Sequence, residues 1–279
     1  LNCSLPTRML VSLCMDPSLG RFTKESLPQQ TLMELLIDGV SNQFVIRGSV
    51  HLCRWTYDAG PRNQNIADWN GIDFSEERSD EVSRIVWNNC RMYGSLNFEM
   101  LPPTVVDFFV TGNALQGTLN CGALPASLKT FEIRDNQING HVVLSDLPEN
   151  IESVDLSKNL FSGTVDLETL PKSFRKLDLS FNSFDGEICL TRLPKKMTHL
   201  YVGRNQLSGE LDFTWLPKTL MVLSLEHNRF EGLGDFSKLP RSLSVFNVSY
   251  TSLSGEIVLQ QPLLVKYFHT SESDVKVTR

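Results

Sequence analysis

The chain has 279 residues, of which 41% are hydrophobic and 21% are charged, and its formal net charge is −6. This length suits one globular core or one extended repeat array. The acidic balance argues against charge-driven binding to nucleic acid, and the sequence has no run of about 20 apolar residues that would predict insertion into a membrane.

The first 78 residues precede the periodic part of the chain. Residues 1–26 match no pattern and are interpreted as an N-terminal extension, either an additional cap element or an arm that docks on a neighbour. After Pro28, apolar residues at helical spacing predict a short helix with one buried face, built from Leu32, Met33, Leu35, Leu36 and Ile37. The segment Trp69-Asn70-Gly71-Ile72 ends this region.

A 23-residue repeat occupies residues 79–259. A Leu-Pro pair recurs without insertion or deletion, beginning at Leu101, Leu124, Leu147, Leu170, Leu193, Leu216 and Leu239. Eleven residues after the proline stands an asparagine in six repeats, at Asn113, Asn136, Asn159, Asn182, Asn205 and Asn228, and Thr251 takes this place in the seventh. A glycine follows four residues later. One further repeat upstream has Cys90 at the asparagine position and Gly94 at the glycine position.

The physical requirements of one repeat predict how it folds. Leu177 and Leu179 alternate with polar residues, so they predict a short strand with one buried face. A single coil of 23 residues cannot cover its own apolar face, so neighbouring coils must stack on it. We expect each asparagine to turn inward, where its amide both donates to and accepts from backbone groups. The glycine is expected to adopt a positive φ.

The segment from Pro171 to Gly186, with leucines at 177 and 179 and an asparagine at 182, resembles a leucine-rich repeat. The return segment Leu207-Ser208-Gly209-Glu210-Leu211 is similar to the plant-type subclass, and the constant Leu-Pro pair resembles repeat proteins of kinetoplastid and related flagellate protists. The resemblance covers about residues 80–260. It implies an α/β-type solenoid, mostly β with 3-10 and irregular segments: a right-handed horseshoe of about eight coils, one short parallel strand per coil and an N-terminal cap with a helix.

The resemblance also suggests how the ends are built. Residues 27–78 look like the N-terminal cap, but Asp73 stands where similar caps carry a disulfide-forming cysteine. Residues 260–279 leave the repeat and are predicted to form a C-terminal cap and a loose tail. Fold alone does not define function.

The cysteines bear on the compartment; they are Cys3, Cys14, Cys53, Cys90, Cys121 and Cys189. Cys90, at the asparagine position, and Cys121, at an inward position, are interpreted as buried thiols. With the expected cap cysteine missing, we favour an intracellular protein. Cys53–Cys90 or Cys3–Cys14 bridges remain open, and with glycosylation sequons at Asn2 and Asn247 they leave a surface or secreted protein as the alternative. The Asn247 sequon lies within a predicted strand and is interpreted as incidental.

No catalytic motif is present in the sequence. The five histidines are scattered, and zinc-binding spacings, nucleophile elbows and phosphate-binding loops are all missing. His199 and His227 stand in adjacent coils and are interpreted as solvent-facing residues rather than metal ligands. The sequence therefore predicts a protein that is not an enzyme, with no cofactor and no metal site.

The outward positions of the predicted strands form a candidate partner-binding site on the concave face. Three carboxylates form an acidic stripe between two aromatic anchors, with a lysine and a histidine beside it; the residues are Phe109, Glu132, Asp155, Lys176, Asp178, His199 and Tyr201. Such a surface fits a protein partner that presents basic and apolar groups. Alternatively, the stripe is an ordinary solvated face, and binding occurs at the N-terminal region or at an edge of the coils.

These observations support three hypotheses. The leading one is an intracellular, non-catalytic protein–protein interaction module or scaffold, such as an accessory subunit of a large complex. The second is a cell-surface or secreted ectodomain that recognises a peptide or a glycan. The third places a catalytic part outside this chain.

Overall fold

The computed structural model describes residues 24–47, 65–258 and 267–278. They form a solenoid in which successive coils each contribute strands to two sheets. The interpretations of residues 1–23 and of Cys3, Cys14 and Cys53 lie outside the described residues. The predicted leucine-rich-repeat solenoid of about eight coils is confirmed.

The N-terminal cap is built around the predicted helix. Helix α1 spans Gln29–Leu36 and α2 spans Phe44–Arg47, and the apolar face of α1 is fully buried against the first coils. Trp69 is buried, with the Arg47 guanidinium 4.9 Å from the centre of its ring. Asp73 lies in a short cap strand and forms an exposed ion pair with Arg84 at 3.7 Å, an interaction that typically contributes less than about 1 kcal/mol.

The first sheet corresponds to the sheet predicted for the concave face. Its ten strands among the described residues are β1 (Ile72–Phe74), β2 (Val82–Val86), β4 (Asp107–Phe109), β6 (Thr130–Glu132), β8 (Ser153–Asp155), β10 (Lys176–Asp178), β12 (His199–Tyr201), β14 (Val222–Ser224), β16 (Val245–Asn247) and β18 (Tyr267–His269). Strand β1 runs antiparallel to β2, and all later neighbours are parallel. The sheet is therefore roughly 43 Å long at ~4.8 Å per strand.

Each coil carries a second strand that the sequence did not predict. These strands form a nine-stranded sheet: β3 (Tyr93–Ser95), β5 (Ala114–Thr118), β7 (Gln137–Gly140), β9 (Leu160–Gly163), β11 (Ser183–Glu187), β13 (Gln206–Gly209), β15 (Arg229–Leu233), β17 (Ser252–Val258) and β19 (Asp274–Thr278). The recurrent glycine has a positive φ in every one of these coils up to Gly255, as predicted. Short 3-10 helices close several returns, at Ile66–Asp68, Phe98–Met100, Cys121–Ala123, Leu144–Asp146 and Phe236–Lys238.

The asparagines form the predicted ladder. Asn159 donates from Nδ2 to the Ile133 carbonyl of the preceding coil at 3.0 Å and to the Leu156 carbonyl of its own coil at 3.1 Å. Its Oδ1 accepts the backbone N–H of Ile138 at 3.1 Å. The same inter-coil arrangement recurs at Asn113, Asn136, Asn182, Asn205 and Asn228.

The ends of the ladder use other side chains. Cys90 is buried at the first position, and its Sγ donates to the Asn88 carbonyl at 3.3 Å. Thr251 donates only to the Val248 carbonyl of its own coil, at 2.7 Å. Cys121 is buried in the core, as predicted, and burial raises the pKa of its thiol to about 12.

Residues 267–278 extend both sheets by one coil through β18 and β19. The prediction of a loose tail is therefore wrong for this segment. Val275 is buried against the last coil, Phe268 packs edge-on against Phe246 with ring centres 6.4 Å apart, and backbone pairing joins both strands to their neighbours.

Candidate functional site

Three rows of side chains run along the outer face of the first sheet. Strand register aligns Arg84, Asp107, Thr130, Ser153, Lys176 and His199 in one row. The same register aligns Val86, Phe109, Glu132, Asp155, Asp178 and Tyr201 in the next. Residues two positions later, including Arg134, Ser157 and Ser180, continue each coil into its turn. The structure therefore brings all seven predicted site residues onto one face.

Two of the three carboxylates of the acidic stripe are closed to solvent. Asp155 and Asp178 are only 5% and 8% exposed, because each carboxylate is held by the serine two residues later. Oδ1 of Asp178 accepts the Ser180 backbone N–H at 2.9 Å and the Ser180 hydroxyl at 2.5 Å. Asp155 and Ser157 repeat this arrangement. The prediction of two accessible carboxylates at these positions is therefore wrong.

Burial and neighbouring charges change the acidity of the stripe. Burial raises the pKa of Glu132, although Lys176 opposes the rise. Burial also raises the pKa of Asp178, and the hydrogen bond from Ser180 opposes it. The Arg134 guanidinium lies 3.9 Å from Asp178 and donates to the Ser157 hydroxyl at 3.0 Å. Two cations, Lys176 and Arg134, therefore offset part of the negative charge of the stripe, and the sequence did not predict the contact with Arg134.

The two aromatic anchors have different surroundings. Phe109 is half-buried, and the Arg84 guanidinium lies 5.3 Å from the centre of its ring. Tyr201 is half-buried and stacks with His199 at 6.1 Å between ring centres; burial and then Asp178 raise its pKa. The anchors lie four strands apart, roughly 19 Å at ~4.8 Å per strand.

His199 is suited to stacking and hydrogen bonding rather than to carrying charge. Its Nδ1 lies 2.8 Å from the Thr198 hydroxyl. Burial lowers its pKa below the ordinary value of 6.5, and the neighbouring Lys176 adds to the effect, which favours the neutral form of the ring. Among the described residues, no group of three or more His, Cys, Asp or Glu side chains could hold a metal ion.

The turns that follow the strands of the first sheet carry a further row of candidate functional residues, which the sequence analysis missed. The residue just before each ladder position has a φ between 51° and 69° in every coil from Asn89 to Tyr250. We call this row the turn ridge; it comprises Asn89, Gly112, Asp135, Lys158, Phe181, Arg204, His227 and Tyr250. Its fixed position beside the asparagine would have identified it from the sequence.

The rear part of the turn ridge, from Lys158 to Tyr250, carries two groups of stacked cations and rings. Lys158 Nζ lies 5.6 Å from the centre of the Phe181 ring, and the Arg204 guanidinium lies 4.9 Å from it. The next two residues, His227 and Tyr250, stack nearly parallel with ring centres 4.2 Å apart. Phe181 and Tyr250 nevertheless remain 43% and 50% exposed.

A cleft of about 320 Å³ lies where this stack meets the outer face of the first sheet. Arg204, His227 and Tyr250 line it from the turn ridge. Asn247 and His269 line it from β16 and β18, and the segments that follow β14, β16 and β18 contribute Glu226, Ser249 and Ser271. Its size is near the lower end of the range for small-ligand sites, ~300–1,000 Å³. The described residues contain no helix long and apolar enough to cross a membrane.

Comparison with solved structures identifies the same fold. The chain is similar to a pollen receptor kinase 3, with 23% identity, a TM-score of 0.51, and coverage of 73% of this chain and 96% of that one. It also matches the leucine-rich-repeat ectodomain of GASSHO1/SCHENGEN3 from Arabidopsis thaliana, bound to CASPARIAN STRIP INTEGRITY FACTOR 2, at 18% identity, a TM-score of 0.49, and coverage of 88% of this chain and 36% of that one.

The plant peptide hormone receptor RGFR1, solved in complex with RGF2, matches at 18% identity and a TM-score of 0.41, covering 67% of this chain and 43% of the receptor chain. This chain therefore spans less than half the length of the last two receptors. No family model matches the sequence, and no curated protein does. The comparison identifies the fold and leaves function to be argued from the surface.

Proposed function

We propose that this protein is a non-catalytic binding module that holds a macromolecular partner against the outer face of its first sheet. The observation that supports this most directly is the run of parallel strands that begins at β2, in whose register Phe109, Lys176, His199 and Tyr201 share one surface. A rigid sheet presents side chains at fixed spacing, so little order has to be gained on binding. Half-buried aromatic residues are frequent energetic anchors of such interfaces.

The partner class that fits this face is an extended protein or peptide segment. Of the seven predicted site residues, the accessible ones are the two aromatic anchors, Lys176, His199 and the half-buried Glu132, because Asp155 and Asp178 are buried and engaged with serines. This surface favours mixed polar and apolar contacts over a strongly basic partner. Nucleic acid remains an unfavourable partner for a chain of net charge −6.

The test is affinity capture from the native source with identification of bound proteins by mass spectrometry, comparing wild type with a Phe109→Ala/Tyr201→Ala variant. We expect the double variant to lose the captured partner. Trp215→Ala is the matched control, since Trp215 is 69% exposed and lies in a turn outside both sheets. Equal loss in the control variant, or retention in the double variant, contradicts the proposal.

For the compartment we propose the cell-surface or secreted alternative in place of the intracellular one. Similarity of fold to a receptor kinase supports it better than an intracellular scaffold or a subunit of a large complex. We also place the coils in the plant-type subclass, which the second strand in each coil supports; similarity to protist proteins remains a prediction. Counting free thiols under denaturing conditions tests the compartment, because six free thiols and no glycan mass would contradict secretion.

A further inference from the structure

The charged residues of the cleft beside Tyr250, which we call the rear cleft, restrict the class of ligand that it can bind. Arg204 and Glu226 both line it, yet within the described part of the chain no ion pair joins them at 4 Å or less. The guanidinium is held instead against the Phe181 ring. One fixed cation and one fixed anion therefore face the same space, and their formal charges cancel.

Glu226 is positioned by its surroundings rather than by a basic partner. Its carboxylate accepts the Ser224 hydroxyl and lies directly over Gly203, where any Cβ atom would overlap with it. The glycine at this position therefore makes room for the carboxylate. One carboxylate oxygen remains to accept hydrogen bonds from a ligand, since Ser224 engages the other.

The neighbouring polar groups add donors on the other side. Oδ1 of Asn247 accepts the Ser249 backbone N–H at 3.1 Å. With the Asn247 sequon unmodified, as interpreted from the sequence, its NH₂ group is left as a donor. Arg204 has five N–H donors in a planar fork. The cleft thus offers planar donors and a planar acceptor together, beside the half-exposed ring of Tyr250.

We propose that this cleft is a saccharide-binding site for a neutral, polyhydroxylated ligand of about one or two sugar rings. A hydroxyl both donates and accepts, so adjacent hydroxyls of a sugar can bond to Glu226 and to Arg204 or Asn247 at once. Because the formal charges of Arg204 and Glu226 cancel, the cleft offers no net attraction to a singly charged ligand of either sign. The apolar C–H face of a sugar ring can pack on the Tyr250 ring. The inference rests on the proposed function, because the cleft belongs to the same outer face.

The experiment is binding of the full chain to an array of neutral and acidic oligosaccharides, followed by titration of the best neutral glycan. We expect neutral glycans to bind and Glu226→Gln and Tyr250→Ala each to weaken binding at least tenfold. Trp215→Ala is again the control and should bind as wild type. Circular dichroism and thermal unfolding of each variant establish that it is folded.

Two outcomes overturn the proposal: binding only to sialylated or sulfated glycans, or no glycan binding by the folded wild type. Failure of the saccharide site can be distinguished from failure of the proposed partner-binding face. If Glu226→Gln loses glycan binding and retains the Phe109- and Tyr201-dependent partner, the two sites are independent. If the partner is captured while no glycan binds, only the saccharide site is rejected.

Discussion

The front of the turn ridge, from Asn89 to Asp135, and its rear, from Lys158 to Tyr250, have the same backbone conformation but very different side chains. In the front coils the left-handed positions are occupied by Asn89, Gly112 and Asp135, residue types that tolerate a positive φ. In the rear coils the same conformation is adopted by residues that include Phe181 and Tyr250, for which it is strained. Conflict between local preference and observed conformation is expected at functional positions. The rear ridge, which borders the cleft, is where that conflict occurs.

The largest expected effect on stability concerns the asparagine ladder, which lies beside the turn ridge in both parts. Asn159→Leu would leave the Ile138 N–H and the Ile133 and Leu156 carbonyls without their side-chain partner, lowering the free energy of unfolding by about 3 kcal/mol. Thr251→Val removes a bond to one carbonyl within its own coil and should cost about 1 kcal/mol. Urea unfolding measures both, and equal losses would contradict an inter-coil role for the amide.

A substitution on the turn ridge is expected to change the free energy of unfolding by less, and in the opposite direction. Phe181→Gly relieves the strained φ of 56°, a gain of about 1–2 kcal/mol. The lost contacts with Lys158 and Arg204, about 0.5 kcal/mol each, offset part of it, so the free energy of unfolding should rise by at most about 1 kcal/mol. Asp135→Gly in the front should give little change, because aspartate already tolerates this conformation. Thermal or urea unfolding compares the two. If Phe181→Gly destabilises the protein, the ring contributes to folding and the contrast between front and rear fails.

Extending the ladder should stabilise the last coil slightly. Thr251→Asn supplies an amide where the chain has a hydroxyl that bonds only within its own coil. An amide here can reach the preceding coil as Asn228 does, so we expect a gain of about 0.5–1 kcal/mol. The readout is the urea midpoint together with hydrogen exchange of β16 and β18. A loss of stability would mean that the rear coils are spaced differently.

The smallest expected effect on the free energy of unfolding is its pH dependence, to which Asp178 contributes. Burial raises the pKa of Asp178 above its ordinary 3.8, so the folded chain holds this proton more strongly than the unfolded chain. The resulting contribution to stability is full below about pH 3.8 and is lost as pH rises through the folded pKa. Asp178→Asn removes this dependence, and its stability relative to wild type should increase from acid to neutral pH. A difference that does not change with pH would contradict the assigned direction.

The sequence was sufficient for the fold because three residue types recur at a constant 23-residue spacing. The asparagine at 159 could be interpreted physically, since an inward amide must find both donors and acceptors. The second strand could not be predicted in the same way. Its residues, as in Leu160–Gly163, show no clear alternation, and their pairing depends on neighbouring coils being stacked.

For the site, the sequence placed the seven residues on one face but misjudged their exposure. The burial of Asp155 and Asp178 follows from packing between coils and from the serine two residues after each aspartate. That spacing is a known signal for a side chain that bonds to nearby backbone and was available in the sequence. The cleft was not predictable, because Arg204 and Glu226 belong to different coils and meet only through the turn geometry.

Because every repeat has 23 residues, the array can be lengthened or shortened by whole coils. Excising residues 148–170 would join Leu147 to Pro171, restoring the Leu-Pro junction and leaving all later coils in step. Each such unit added or removed would alter the reach of the outer face by about 4.8 Å without redesign of its neighbours. Duplication or loss of whole repeats can therefore change the distance between the surface around Phe109 and the rear cleft in steps of one coil.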